Sequence, residues 1–179
     1  NGKDSAIVIP NGATEIGAVA FAGKKKIVEI TVPGAVAKIG HNAFKGCTLL
    51  ESVEIPDSVT SIGKCAFMDC TSLIDIVIPD SVTYLGDKAF FCCVSAKSLY
   101  ISKSLTDISW AAFGFCQSLE SVYIPDSVTS IESSAFTYCT SLSSITIPHS
   151  VTYIGERVFQ YCSALTSIVI PDSVTSIGG

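Results

Sequence analysis

The sequence predicts one repeat solenoid of stacked 23-residue coils, and three regularities predict it. Prolines stand at Pro10, Pro33, Pro56, Pro79, Pro125, Pro148 and Pro171, and each gap is 23 residues, or twice that where Ser102 replaces proline. With proline as position 1, Phe fills position 12 of all seven complete units, from Phe21 to Phe159. Positions 21 and 23 are aliphatic throughout, from Ile30 and Val32 to Ile168 and Ile170. The units 10–32, 33–55, 56–78, 79–101, 102–124, 125–147 and 148–170, with partial units 1–9 and 171–179, cover the chain without insertion or linker. Constant-period self-similarity is the signature of an array whose units stack to share one core.

The unit Pro56–Ile78 explains each element in turn. Pro-Asp-Ser reads as a turn, because proline presets φ while Asp and Ser bond nearby backbone. Val59 and Ile62 then dip into the core, and Gly63 reads as a bend requiring positive φ, repeated at Gly17, Gly40, Gly86, Gly155 and Gly178. The Ala66-Phe67 pair closes the coil on the far side in a short helical or irregular turn. Leu73, Ile76 and Ile78 end the unit on the alternation of a strand with one buried face. Equivalent strands pair in parallel at roughly 4.8 Å, so nearly eight coils form a rod of about 35–40 Å.

Hydrophobic residues make up 48% and charged residues 15%, which suits a large core and excludes global disorder. A formal charge of −5 without a basic stripe argues against nucleic-acid or anionic-membrane binding, and Lys24-Lys25-Lys26 reads as a solvated edge. No apolar run approaches the roughly 18 residues that span a bilayer, so direct membrane insertion is not expected.

The unit I-P-D-S-V-T-S-I-G-x-x-A-F-x-x-C-T-S-L-x-x-I-x resembles the BspA-like, or Treponema-pallidum-type, leucine-rich repeats over essentially the whole chain. The resemblance implies a leucine-rich repeat solenoid, a curved right-handed stack of coils with a parallel β-sheet on the concave face and short turns, irregular or short helical segments on the convex side. It also implies a surface or secreted protein linked to adhesion and host-protein binding. Two units depart from the pattern. The fifth has Ser102 for proline, Ser109 for glycine and Trp110, and the fourth has Ala96 for leucine. Local irregularity without a break is expected there. Asn1 and Gly179 both fall mid-unit, so uncapped ends and end-to-end self-association are expected of this stretch.

Six of eight cysteines, Cys47, Cys70, Cys93, Cys116, Cys139 and Cys162, recur at position 15. They read as a column of small buried hydrophobes. Disulfides between neighbouring coils are conceivable by spacing, but in-register side chains point the same way, and Lys24 holds the position in the first unit. Zinc is disfavoured because ligands in a line do not surround an ion tetrahedrally. Cys92 is expected to face away from Cys93, and Cys65 to lie nearer solvent.

No catalytic constellation emerges, since serines and aspartates fall at repeated positions where turn and surface chemistry explain them. The expectation is a non-enzymatic module with no cofactor and no metal. Binding in solenoids comes from residues that vary at exposed positions of a constant unit. Alternation turns positions 20 and 22 outward, which nominates Glu54, Val77, Tyr100 and Tyr123, while variable position 19 adds Ile74, Lys97 and Glu120. Tyr100 and Tyr123 are expected to stack on adjacent coils. Phe91, Trp110, Phe115, Tyr138 and Tyr161 make a second set, expected to cover the core or pack on neighbouring chains. The partners expected are proteins, including host or extracellular matrix proteins. A spacer or self-associating scaffold without its own ligand, and a carbohydrate-binding module, are the competing readings.

Overall fold

The computed structural model describes residues 6–178. Six of the seven complete coils contribute two short parallel strands, and the last, 148–170, contributes only Tyr153–Ile154. The first strip consists of three-residue strands at positions 20–22: Ala6–Val8, Glu29–Thr31, Ser52–Glu54, Asp75–Val77, Ser98–Tyr100, Ser121–Tyr123 and Ser144–Thr146. The second consists of two-residue strands at positions 6–7, from Glu15–Ile16 to Ser176–Ile177. This second strip is not anticipated by the single-sheet expectation. Register is one coil per step, with Ile30 opposite Val53, and Ile62 opposite Leu85. The three-residue strips pair as sets of three, two and two, and the two-residue strips as two sets of four.

The core is a set of columns. Phe44, Phe67, Phe90, Phe113 and Phe136 are fully buried. Their rings stack nearly parallel, 5.1 Å between Phe44 and Phe67, 5.0 Å between Phe67 and Phe90 and 5.9 Å between Phe90 and Phe113. Val59 and Ile62 are buried as their spacing requires, as are Leu73, Ile76 and Ile78.

The far side of the coil holds no helix among the described residues; it is a run of turns. Its backbone is unusual. In each complete coil, positions 10 and 14 take positive φ, as at Cys65 (54°), Asp69 (61°), Lys88 (55°) and Cys92 (63°), and only Gly23 and Gly46 among them are glycine. The alternation turns the N–H groups of positions 10, 12 and 14 toward the following coil. Cys65 N donates to Asp87 O at 2.9 Å, Phe67 N to Ala89 O at 2.8 Å and Asp69 N to Phe91 O at 2.9 Å. The intervening amides close i→i−3 turns within the coil, such as Ala66 N to Gly63 O at 3.1 Å.

The expected positive φ at Gly63 and its equivalents is therefore wrong. None of these glycines has positive φ. From Gly40 onward the requirement is space, while Gly17, in the first coil, has nothing within 4 Å: a Cβ on Gly63 would meet His41 N at 2.7 Å and Gly40 C at 2.8 Å in the coil before it. The close approach lets Gly63 N donate to Ile39 O at 2.8 Å.

The fifth coil solves the same problem with side chains. Ser109, which stands in for this glycine, is buried, and its Oγ donates to Leu85 O, the carbonyl that a position-8 amide would take. Ser102, in the proline place, is fully buried and donates to Val82 O at 2.7 Å. Elsewhere the position-3 serine makes that bond, as Ser81 does to Val59 O at 2.7 Å. One coil later Ser127 Oγ is buried without a partner. The two-residue ladder is interrupted here, between Tyr84–Leu85 and Asp107–Ile108. The stack itself continues, because Lys88 N, Phe90 N and Cys92 N still bond the next coil at 2.8–2.9 Å.

Truncating the Phe column at its middle should be expensive: Phe113→Ala is expected to lower stability by about 3–5 kcal/mol, and Phe21→Ala, only partly buried, by less. Denaturant melts check this, and a loss below about 1 kcal/mol at Phe113 contradicts a shared column. The glycines separate by mechanism. Gly63→Ala should cost about 1–3 kcal/mol through overpacking. Gly46→Ala, at φ 72° with its nearest neighbour 3.8 Å away, should cost about 1–2 kcal/mol through backbone conformation. Gly12→Ala, with nothing within 4 Å, should stay within about 0.5 kcal/mol. Equal effects at Gly12 and Gly63 would remove the close-approach account.

Candidate functional site

The three-residue strands present alternate side chains to solvent. Asp75 and Val77 are exposed on either side of buried Ile76, and Ser121 and Tyr123 on either side of buried Val122. This alternation follows from burying position 21 against the core. It leaves positions 20 and 22 outward, and Glu54, Val77, Tyr100 and Tyr123 all lie there, exposed. Ile74, Lys97 and Glu120, at the strand entrance, are exposed too. The structure thus brings the seven nominated residues to one face over four consecutive coils.

Within that face sits an apolar cluster that the neighbouring coils lack. Ile74, Val77, Tyr100 and Tyr123 expose 43%, 52%, 41% and 64% of their surface. Val77 lies opposite Tyr100 in the strand register. The expected stacking of Tyr100 on Tyr123 does not occur: the two rings form no pair among the described aromatic contacts. Tyr100 turns back toward the start of its own unit, where its hydroxyl donates to Asp80 Oδ1 at 3.0 Å. The Lys103 amide donates to the same oxygen at 2.9 Å. The Lys103 amide, the Tyr100 hydroxyl and the Lys103 charge together hold the Asp80 carboxyl below the usual carboxylate range. Asp80 thereby fixes one aromatic ring of the cluster while remaining ionised. Asp75 likewise accepts from Ser98 Oγ across one coil. Beside Tyr123 lies a shallow cavity of about 330 Å³ lined by Lys103, Pro125, Asp126 and Ser127.

The second aromatic set does something the sequence reading missed. Phe115, Tyr138 and Tyr161 occupy left-handed position 14 and stack on one another at 4.3 Å and 4.3 Å. Phe91 joins them at 5.1 Å from Phe115. Lys88 Nζ sits 4.4 Å from the Trp110 ring centre and 5.1 Å from that of Phe91. Tyr138 lies between Phe115 and Tyr161 in this ladder, while Tyr161 at its end and Trp110 beside it stay 56% and 41% exposed. The signal available in the sequence was the recurrence of aromatics at position 14 in three successive coils.

The cysteines form a structural column. All eight are free. Each position-15 thiol donates to the carbonyl of the Phe one coil back, from Cys47 to Phe21 O at 3.2 Å to Cys162 to Phe136 O at 3.2 Å. The thiols thus act as small apolar side chains that also supply a weak donor. Burial pushes the Cys116 thiol up to about 12 and raises Cys70, Cys93 and Cys139 as well. Cys92 faces away from fully buried Cys93 and is partly exposed, in line with expectation. Cys65, expected nearer solvent, is instead buried. Among the described residues no group of three or more His, Cys, Asp or Glu converges as a metal-ligand set. No helix among them is long and apolar enough to cross a membrane.

Stacked parallel coils with one varied strand face define a leucine-rich repeat solenoid. The model of the BspA type leucine rich repeat region matches residues 3–116 and 85–179, in six copies, and the chain belongs to that family. A crystal structure of a T. pallidum leucine rich repeat protein is 33% identical, with a TM-score of 0.86 over 90% of this chain and 78% of that one. A leucine-rich repeat protein from Bacteroides ovatus is 30% identical, with a TM-score of 0.74 over 97% of this chain and 53% of its own. A leucine rich cell surface protein from Faecalibacterium prausnitzii is 30% identical, with a TM-score of 0.66 over 89% of this chain and 52% of its own. The chain therefore spans about half the length of these last two. No curated protein matches. Members of this repeat family are generally non-enzymatic modules of protein interaction.

Thiol reactivity follows from the column. In the folded protein near pH 8, where the raised thiols stay protonated, partly exposed Cys92 should react first with an aromatic disulfide reagent and the position-15 thiols scarcely at all. In denaturant all eight should react. Fast native labelling of three or more thiols, or far fewer than eight after unfolding, contradicts the buried reduced column.

Proposed function

We propose that this solenoid is a protein-binding module of a surface or secreted protein, and that it engages its partner through the three-residue strand face. One observation carries the reading: the exposed cluster Ile74, Val77, Tyr100 and Tyr123 interrupts a face whose flanking coils present serines, threonines and carboxylates, exposed apolar side chains returning only at Val8 and Val169 near the two ends. Large amphipathic side chains held on a rigid sheet lose little conformational entropy on contact, which is why tyrosine is enriched at interfaces. The Asp80 bond removes some of that cost in advance for Tyr100. The cell-surface description of the Faecalibacterium relative supports an adhesive role outside the cell, with host or matrix proteins as the partners to test first.

The double substitution Tyr100→Ala/Tyr123→Ala is expected to weaken capture of this chain by immobilised matrix proteins at least tenfold while leaving the melting temperature within a few degrees, since both rings are exposed. Unchanged binding in that variant would remove the cluster as the contact surface. An absence of binding to any protein tested would favour the spacer reading.

A further inference from the structure

The strand face is not evenly charged. Repeat positions 2, 19, 20 and 22, which make up this face and its lip, hold nine of the chain's sixteen carboxylates but only two of its eleven cations, Lys97 and Lys103. This face is therefore net −7 and the remainder of the chain net +2. The carboxylates are also unequal along the axis. Six of the nine, Glu29, Glu51, Glu54, Asp57, Asp75 and Asp80, precede the tyrosines with no cation at these positions among them. All six are exposed. After Asp80 the two lysines nearly cancel Glu120, Asp126 and Asp172.

No ion pair neutralises this face among the described residues, since the one they form, Lys64 to Asp87 at 3.6 Å, lies on another side of the coil; Lys103 acts only on Asp80, at the edge of the row. A row of unpaired carboxylates on parallel coils roughly 4.8 Å apart repels itself. The surface makes sense as one half of a complementary pair.

We infer that the partner presents a lysine- or arginine-rich protein segment with an apolar side chain at one end. This rests on the strand face being the binding surface. The cationic part lies over the coils bearing Glu51, Glu54 and Asp75, and the apolar side chain seats against Val77, Tyr100 and Tyr123. Lys97 and Lys103 mark the far boundary, repelling a segment docked in the reverse direction. The charge supplies orientation and fast encounter, and the apolar cluster supplies residence time.

The experiment uses the whole chain and three labelled peptides: lysines beside a Leu-Leu pair, the same peptide with glutamates, and the lysine peptide with Ser-Ser. Fluorescence anisotropy should show the first binding at least tenfold tighter than the other two. Raising NaCl from about 0.05 to about 0.3 M should weaken it about fivefold or more. Glu51→Gln/Glu54→Gln/Asp75→Asn should weaken it at least tenfold, and Glu132→Gln/Glu156→Gln, equal in kind but off the face, less than twofold. Binding of the glutamate peptide as tightly as the lysine one, salt-independence, or equal effects from the two charge variants would each overturn the inference. If the charge variant binds matrix protein normally while Tyr100→Ala/Tyr123→Ala does not, the face is the contact surface and the cationic partner is wrong. If neither variant loses binding, both fall.

Discussion

The structure depends on satisfying each coil's backbone from the coils on either side. A single 23-residue coil cannot bury its apolar side chains or pair its own peptide groups, because it is mostly turn. Stacking resolves both at once. Position 21 amides and carbonyls enter the longer strips, position 8 amides donate backward, and those of positions 10, 12 and 14 donate forward. Side-chain hydroxyls extend the same scheme, as Thr83 does toward Thr60 O at 3.4 Å and Ser150 toward Val128 O at 2.7 Å. Any residue placed between coils must fit a spacing close to that of a parallel ladder, and the Phe column at 5.0–6.1 Å shows the range tolerated.

That constraint explains which parts of the fold were legible in the sequence. The columns are visible because they repeat side-chain chemistry: Phe at position 12, Cys at 15 and aliphatics at 21 and 23 need no structure to be seen. The backbone of positions 10–14 was not visible. Its left-handed residues are Cys65, Lys88, Ala111, Ser134 and Arg157 in successive coils, a set with no shared chemistry, because the tertiary hydrogen bonds impose the conformation. Glycine at position 8 misled for the same reason, since a missing Cβ signals free φ and close approach alike.

The nominated face was legible by alternation alone, and Glu54, Val77, Tyr100, Tyr123, Ile74, Lys97 and Glu120 fall on it together. The arrangement inside it was not. Whether Tyr100 leans on Tyr123 or back to Asp80 depends on the Asp at position 2 of its own unit, a contact between residues 20 apart that no strand periodicity encodes. The fifth coil shows the converse. Its missing proline and glycine looked like defects, yet Ser102 and Ser109 supply donors to the two carbonyls concerned.

The alternating left-handed residues give the rod a direction. Along this strip the amide protons of positions 10, 12 and 14 all point toward the following coil and the carbonyls of positions 9, 11 and 13 toward the preceding one, so here the two faces of a coil are chemical opposites, one donor and one acceptor. A coil inserted upside down would set donor against donor at three places. Growth of the repeat by gene duplication is accordingly confined to head-to-tail copies in whole multiples of 23 residues, which is the pattern this sequence keeps from Pro10 to Ile170.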